Sequence, residues 1–113
     1  MAIEYRQFES DYGFKSPGFT VDNAGNVVVG ETALDAVTTG THNAAFGYQA
    51  LTDSTTGAEN NAFGSVALGN NTTGSKNNAF GKQSLEDNTT GSNNTAFGHD
   101  VLRENTTASN NTG

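Results

Sequence analysis

The chain has 113 residues, enough for one ordinary domain, but only 33% are apolar, and there are 14 glycines, one proline, no tryptophan and no cysteine. A net charge of −7 with only five basic residues argues against nucleic acid and anionic membrane surfaces, which need clustered Lys and Arg. The missing cysteines remove disulfides, thiolate metal sites and thiol nucleophiles, and the composition leans toward disorder or a repetitive β architecture.

Residues 1–25, MAIEYRQFESDYGFKSPGFTVDNAG, differ in composition from everything after them. They hold five of the ten aromatics (Tyr5, Phe8, Tyr12, Phe14 and Phe19) and the only proline, Pro17. No basic flank or apolar run marks a secretory signal, and no stretch nears the roughly 20 apolar residues of a membrane span. The expectation is a protein made in a cytoplasm, a host's included, without membrane insertion. The end of the segment, FTVDNAGNVVV, reads as strand, turn, strand, with Asp22-Asn23-Ala24-Gly25 as the turn. Two roles fit the segment: a cap over the open edge of the downstream fold, and a docking segment with aromatic anchors.

From Asn26 onward one 17-residue phrase repeats without insertion or deletion. Residues 60–76 read NNAFGSVALGNNTTGSK, residues 77–93 NNAFGKQSLEDNTTGSN, and residues 94–110 NTAFGHDVLRENTTASN. Asparagine opens each unit at Asn26, Asn43, Asn60, Asn77, Asn94 and Asn111. Phenylalanine recurs at Phe46, Phe63, Phe80 and Phe97, and leucine at Leu34, Leu51, Leu68, Leu85 and Leu102. Thr-Thr-Gly closes four units, with Ala108 in place of the fifth glycine. Five full units and the start of a sixth occupy residues 26–113.

A constant step stacks identical side chains when each unit is one coil. The expected fold is an all-β parallel β-solenoid, or β-roll, rising about 4.8 Å per coil. Asn and Thr would form hydrogen-bonded ladders and Phe and Leu apolar columns, with glycines at corners needing positive φ. Two strand candidates per coil carry adjacent apolar residues, Ala62-Phe63 and Ala67-Leu68 for example. One helical turn per coil remains open for the second. Neighbours in a strand face opposite sides, so the phenylalanines would form an exposed apolar ladder, which marks an interface. A cyclic homo-oligomer of the chain would bury it. The competing expectation turns Phe inward at a corner and leaves a monomer.

Catalytic chemistry is missing from the pattern. His42 and His99 occupy different places in the unit, and the Glu86-Asp87 pair does not recur, so no metal site, cofactor or acid/base pair is expected. No P-loop or GxSxG element is present. Asn71, Asn88 and Asn105 match the glycosylation sequon, but their repetition reads better as ladder chemistry. The chain is not expected to be an enzyme.

The phrases NNAFGxxAL and NTTGSNN resemble the NTAFGxxAL…NTTG arrays of bacteriophage tail-fibre and related virion-fibre proteins. Their A-F-G core is similar to the A-x-G repeats of trimeric autotransporter adhesin heads, which are parallel β-rolls in trimers. GFTVDNAGNVVVG, residues 18–30, also resembles the start of a phage fibre shaft. The resemblance implies a homotrimeric fibre or spike shaft on a virion. Residues 1–25 would dock it to other virion structural proteins, and its coils would reach toward the host. The variable pairs Tyr48-Gln49, Ser65-Val66, Lys82-Gln83 and His99-Asp100 would then decorate the outside and meet host surface glycans. Two other readings compete: an ice-binding solenoid displaying Thr73-Gly74-Ser75 and its equivalents, and the head of a bacterial surface adhesin.

Overall fold

The computed structural model describes residues 19–113. Tyr5, Phe8, Tyr12 and Phe14, four of the five expected docking aromatics, lie outside the described residues, as does most of the 1–25 segment. The described chain is an all-β solenoid with no helix. Its strands are β1 (Phe19–Val21), β2 (Val27–Val29), β3 (Ala44–Phe46), β4 (Asn61–Phe63), β5 (Asn78–Phe80) and β6 (Thr95–Phe97). They form one six-stranded sheet in chain order.

β2 to β6 pair in parallel and in register, so that Ala45, Ala62, Ala79 and Ala96 lie side by side. Four coil-to-coil steps separate β2 from β6, and a Thr95–Thr112 bridge begins another rank. Each strand is short because its flanks fix it. A buried Asn precedes each of β2 to β6, and a glycine at φ between 127° and 142° ends it. The middle residue of each parallel strand (Val28, Ala45, Ala62, Ala79, Ala96) points inward and is buried, while its two neighbours face out.

The second strand expected in each coil does not form, and neither does a helical turn. Ala50, Thr52 and Ser54 instead donate their N–H groups to the carbonyls of Gly47, Gln49 and Leu51, three residues back, at 3.1, 3.3 and 3.1 Å. Gln49 and Leu51 have φ of 57° and 54°, which breaks the alternation of side chains. Ala50 and Leu51 are therefore both buried, and Ala67 and Leu68 repeat the arrangement one coil on. Leu34, Leu51, Leu68 and Leu85 make the inner apolar column, with Leu102 partly buried against it. Backbone pairing between coils continues on this side, through Leu51 N to Ala67 O (3.0 Å) and Asp53 N to Gly69 O (3.1 Å).

Left-handed backbone at non-glycine residues costs about 1–2 kcal/mol each, and a β-branched side chain fits it worst. Val66 sits at φ 62° and is only half-buried. Val66→Asn is therefore expected to raise stability by about 1 kcal/mol, because Asn tolerates this region. Thermal unfolding of the two chains checks it, and a lowered midpoint would refute the strain argument.

The glycines serve two needs. Gly64 has φ of 139°, and a Cβ there would lie 2.6 Å from the backbone carbonyl of Gly81. Gly57, in Thr-Thr-Gly, has no positive φ; a Cβ there would collide with the Gly74 carbonyl oxygen. Close approach, rather than the corner φ expected of it, demands the second glycine.

At the N-terminal edge β1 pairs antiparallel with β2, Phe19 opposite Val29 and Val21 opposite Val27. The strand, turn and strand expected of FTVDNAGNVVV are present. Asp22 closes the turn by accepting the Ala24 and Asn26 N–H groups, both at 2.9 Å.

Candidate interaction face

Half of each coil's interior is polar, and this fixes how the other residues face. Asn43, Asn60, Asn77 and Asn94 are buried, stacked and hydrogen-bonded in series. The Oδ1 of each accepts the backbone N–H of the next, at 3.0 Å for Asn60 on Asn43, Asn77 on Asn60 and Asn94 on Asn77. The Nδ2 of each reaches across its own coil to a carbonyl 14 residues on: Gly57, Gly74, Gly91 and Ala108, at 2.8–2.9 Å. The amide thus ties coil to coil and clamps the two ends of one coil together. Asn26 starts the ladder, and Asp22 fills the acceptor place before it, taking the Asn26 N–H and, at 2.8 Å, its Nδ2. Asp22 stands outside the 17-residue register, so periodicity does not reveal it.

A second amide column runs through Asn71, Asn88 and Asn105. Asn88 Nδ2 donates to Asn71 Oδ1 at 2.8 Å and Asn105 Nδ2 to Asn88 Oδ1 at 2.9 Å. Asn71 and Asn88 are fully buried, with their amides engaged. In the coil before, the same place holds Ser54, whose buried Oγ has no hydrogen-bond partner. Ser54→Asn is expected to extend the column by one rank, accepting from Asn71 and donating toward Gly57 O. The expected stabilisation is about 1 kcal/mol, readable as a higher denaturant midpoint. Destabilisation would mean that the site lacks the room its Asn71 counterpart has.

With amides, alanines and leucines filling the interior, phenylalanine is left outside. Phe46, Phe63, Phe80 and Phe97 stack on the outer face of the sheet with ring centroids 4.6, 4.8 and 4.7 Å apart and planes within 7° of parallel. Rings cover both faces of Phe63 and Phe80, and Phe46 lies between Phe63 and Val29; these three are half-buried, whereas Phe97, at the other end of the column, is 61% exposed. Each stacked pair contributes about 0.5–1.5 kcal/mol beyond area burial. Val29 continues this column toward the N-terminus, and beside it run Val27, Ala44, Asn61, Asn78 and Thr95. Asn61 Nδ2 donates to Asn78 Oδ1 at 2.8 Å within that neighbouring column.

These two columns contain no charged residue. Charged side chains lie at their rims: exposed Glu59 and Lys76 on one side, and exposed Glu31 and Lys82 on the other. An apolar centre with a polar rim is the anatomy of a protein–protein interface.

The first members of the variable pairs follow the strand-ending glycines and are reached by solvent. Tyr48 is 52% exposed, Lys82 and His99 are exposed, and Ser65 is half-buried. Gln49, Val66 and Gln83 are half-buried instead, held by backbone hydrogen bonds to the preceding coil. Phe19, the one docking aromatic among the described residues, is half-buried in β1. His42 and His99 are far apart, and among the described residues no three His, Cys, Asp or Glu side chains are placed to hold a metal ion. No helix among them is long and apolar enough to cross a membrane.

Comparison with known proteins finds no family model, no curated protein and no solved structure that matches this chain.

Proposed function

We propose that the chain is a structural fibre element, a shaft segment of a virion fibre or spike that assembles as a homotrimer through its phenylalanine ladder. One observation carries this reading: an uncharged stripe of four stacked phenylalanines on the outer face of an in-register solenoid. The coil interior supports it. Coil two buries one leucine and two alanines (Leu51, Ala45 and Ala50) as its apolar core, and fully burying a leucine stabilises by only about 1.5–3 kcal/mol. Among the described residues the phenylalanines form a continuous apolar stripe that the coil interior does not cover, and burying it between copies adds to this small core. Rims carrying both signs of charge suit a second copy of the same surface. In this reading residues 1–25 are the segment that docks the rod to other virion proteins, and β1 covers the edge of the first coil by pairing antiparallel with β2. The exposed Tyr48, Lys82 and His99 side chains lie where a host glycan would meet the shaft.

Charge placed in the stripe tests the assembly. In the double variant Phe63→Glu, Phe80→Glu, the expected outcome is a monomer in sedimentation velocity whose buried ladder amides keep their slow hydrogen exchange. A variant that keeps the parent's oligomeric mass would remove the ladder as the interface.

An ice-binding reading rests on Thr39, Thr56, Thr73, Thr90 and Thr107, an exposed column at the coil step. Its second hydroxyl column is turned to the backbone: Ser75, Ser92 and Ser109 Oγ accept N–H groups of Ala58, Ser75 and Ser92 at 3.0, 3.0 and 2.9 Å. One free column is a poor template for ordered water, so the fibre reading is preferred. A thermal-hysteresis assay separates the two. The adhesin-head reading shares the trimer and differs only in where the rod is attached.

A further inference from the structure

At one corner of the solenoid, Gly40, Gly57, Gly74 and Gly91 stack, and a Cβ at any of them would run into the backbone carbonyl of the following coil. The obstructing oxygens are those of Gly57, Gly74, Gly91 and Ala108 in turn. None of the four glycines has φ in the left-handed region, so the corner demands room and nothing else. The fifth occupant of this corner is Ala108.

We infer that Ala108 is a stop residue for the stack: its methyl group occupies the space that the carbonyl of a sixth coil needs. The rest of the last coil remains ready to be extended. Asn94 and Asn105 still donate to Ala108 O at 2.9 and 3.1 Å. Asn111 N–H already joins the inner ladder on Asn94 Oδ1 at 2.9 Å, and Thr112 bridges Thr95. The sheet side therefore accepts the next rank while the glycine corner refuses it. A coil held on one side and pushed off on the other cannot keep the 17-residue geometry.

The test lengthens the full chain. Seventeen residues copied from 80–96 are placed after Gly113, continuing the register, once with Ala108 and once with Ala108→Gly. Hydrogen exchange is then read coil by coil, with the amides of residues 60–76 reporting whether the rod itself is folded. The added coil is expected to exchange at least about tenfold faster with alanine than with glycine, since overpacking against backbone is not relieved by rotamer changes. Equal protection of the added coil in both chains overturns the inference, and so does its exposure in both. Gly57→Ala in the unextended chain moves the same methyl into the interior. It is expected to lose protection around residues 55–57 and 72–74, and unchanged exchange there would also overturn the inference.

Discussion

Asn60→Ala is expected to destabilise the rod by about 2–4 kcal/mol, far more than its single lost amide implies. Asn60 is fully buried. Its Nδ2 donates to Gly74 O at 2.8 Å, and its Oδ1 accepts both the backbone N–H and the Nδ2 of Asn77, at 3.0 and 3.2 Å. Truncation leaves the Asn77 N–H buried with no acceptor, which alone costs about 1–3 kcal/mol. It also opens a cavity in an interior with few side chains to collapse into it. Because each coil contacts only its neighbours, the damage separates the coils before residue 60 from those after it. Asn60→Asp is not expected to rescue, since a carboxylate keeps the acceptor but cannot donate to Gly74 O and places a charge in the core. Asn61→Ala is the control: that amide faces outward and bonds only Asn78 Oδ1. Denaturant unfolding should show Asn61→Ala losing under about 1 kcal/mol. Equal losses at the two positions would mean that burial of the inner ladder is not what holds the coils.

Gly64→Ala is expected to be still more damaging, about 3–5 kcal/mol from backbone strain and overpacking together. The glycine has φ of 139°, where only glycine is at ease, and a Cβ would sit 2.6 Å from the C and O atoms of Gly81. That backbone cannot give way easily, because the Gly81 N–H is itself bonded to Phe63 O at 2.8 Å. Gly69→Ala supplies the comparison. Its Cβ would meet a side-chain methyl of Val66, and the same place in other coils holds Asp35, Thr52, Glu86 and Arg103. Near-native stability of Gly69→Ala beside partial unfolding of Gly64→Ala, read by circular dichroism and hydrogen exchange, is the expected pattern. Equal tolerance would contradict the close packing of coil on coil.

The parts of this fold that were legible in the sequence are those that repeat at the coil step. The constant separation of Phe46, Phe63, Phe80 and Phe97 requires that they share one side of a stack, and the Ala-Phe neighbours read as inward and outward residues of a strand. The Thr-Thr-Gly glycine was legible as a necessity, but for the wrong reason, since room and torsion leave the same letter. The second side of the coil was not legible. Leucine is a poor resident of left-handed backbone, so nothing in Ala50-Leu51 announces the successive turns that bury both. What sustains them is pairing with the same turns above and below, a tertiary effect that single-residue propensities do not carry. Asp22 was hidden in a different way. It acts as the ladder's first acceptor while standing outside the repeat, and only the hydrogen bonds to Asn26 reveal it.

Exposure of the phenylalanine column joins the fold to the proposed role. The phenylalanines stack on the outer face of the sheet rather than inside the coil. The decisive measurement is the solution mass of the full chain by light scattering coupled to size exclusion. Three times the 11.7 kDa chain mass is the expected result, with the phenylalanine ladders buried between copies. A folded monomer at 11.7 kDa would contradict the account, leaving the ladder as a surface stack and the fibre reading without its carrying observation.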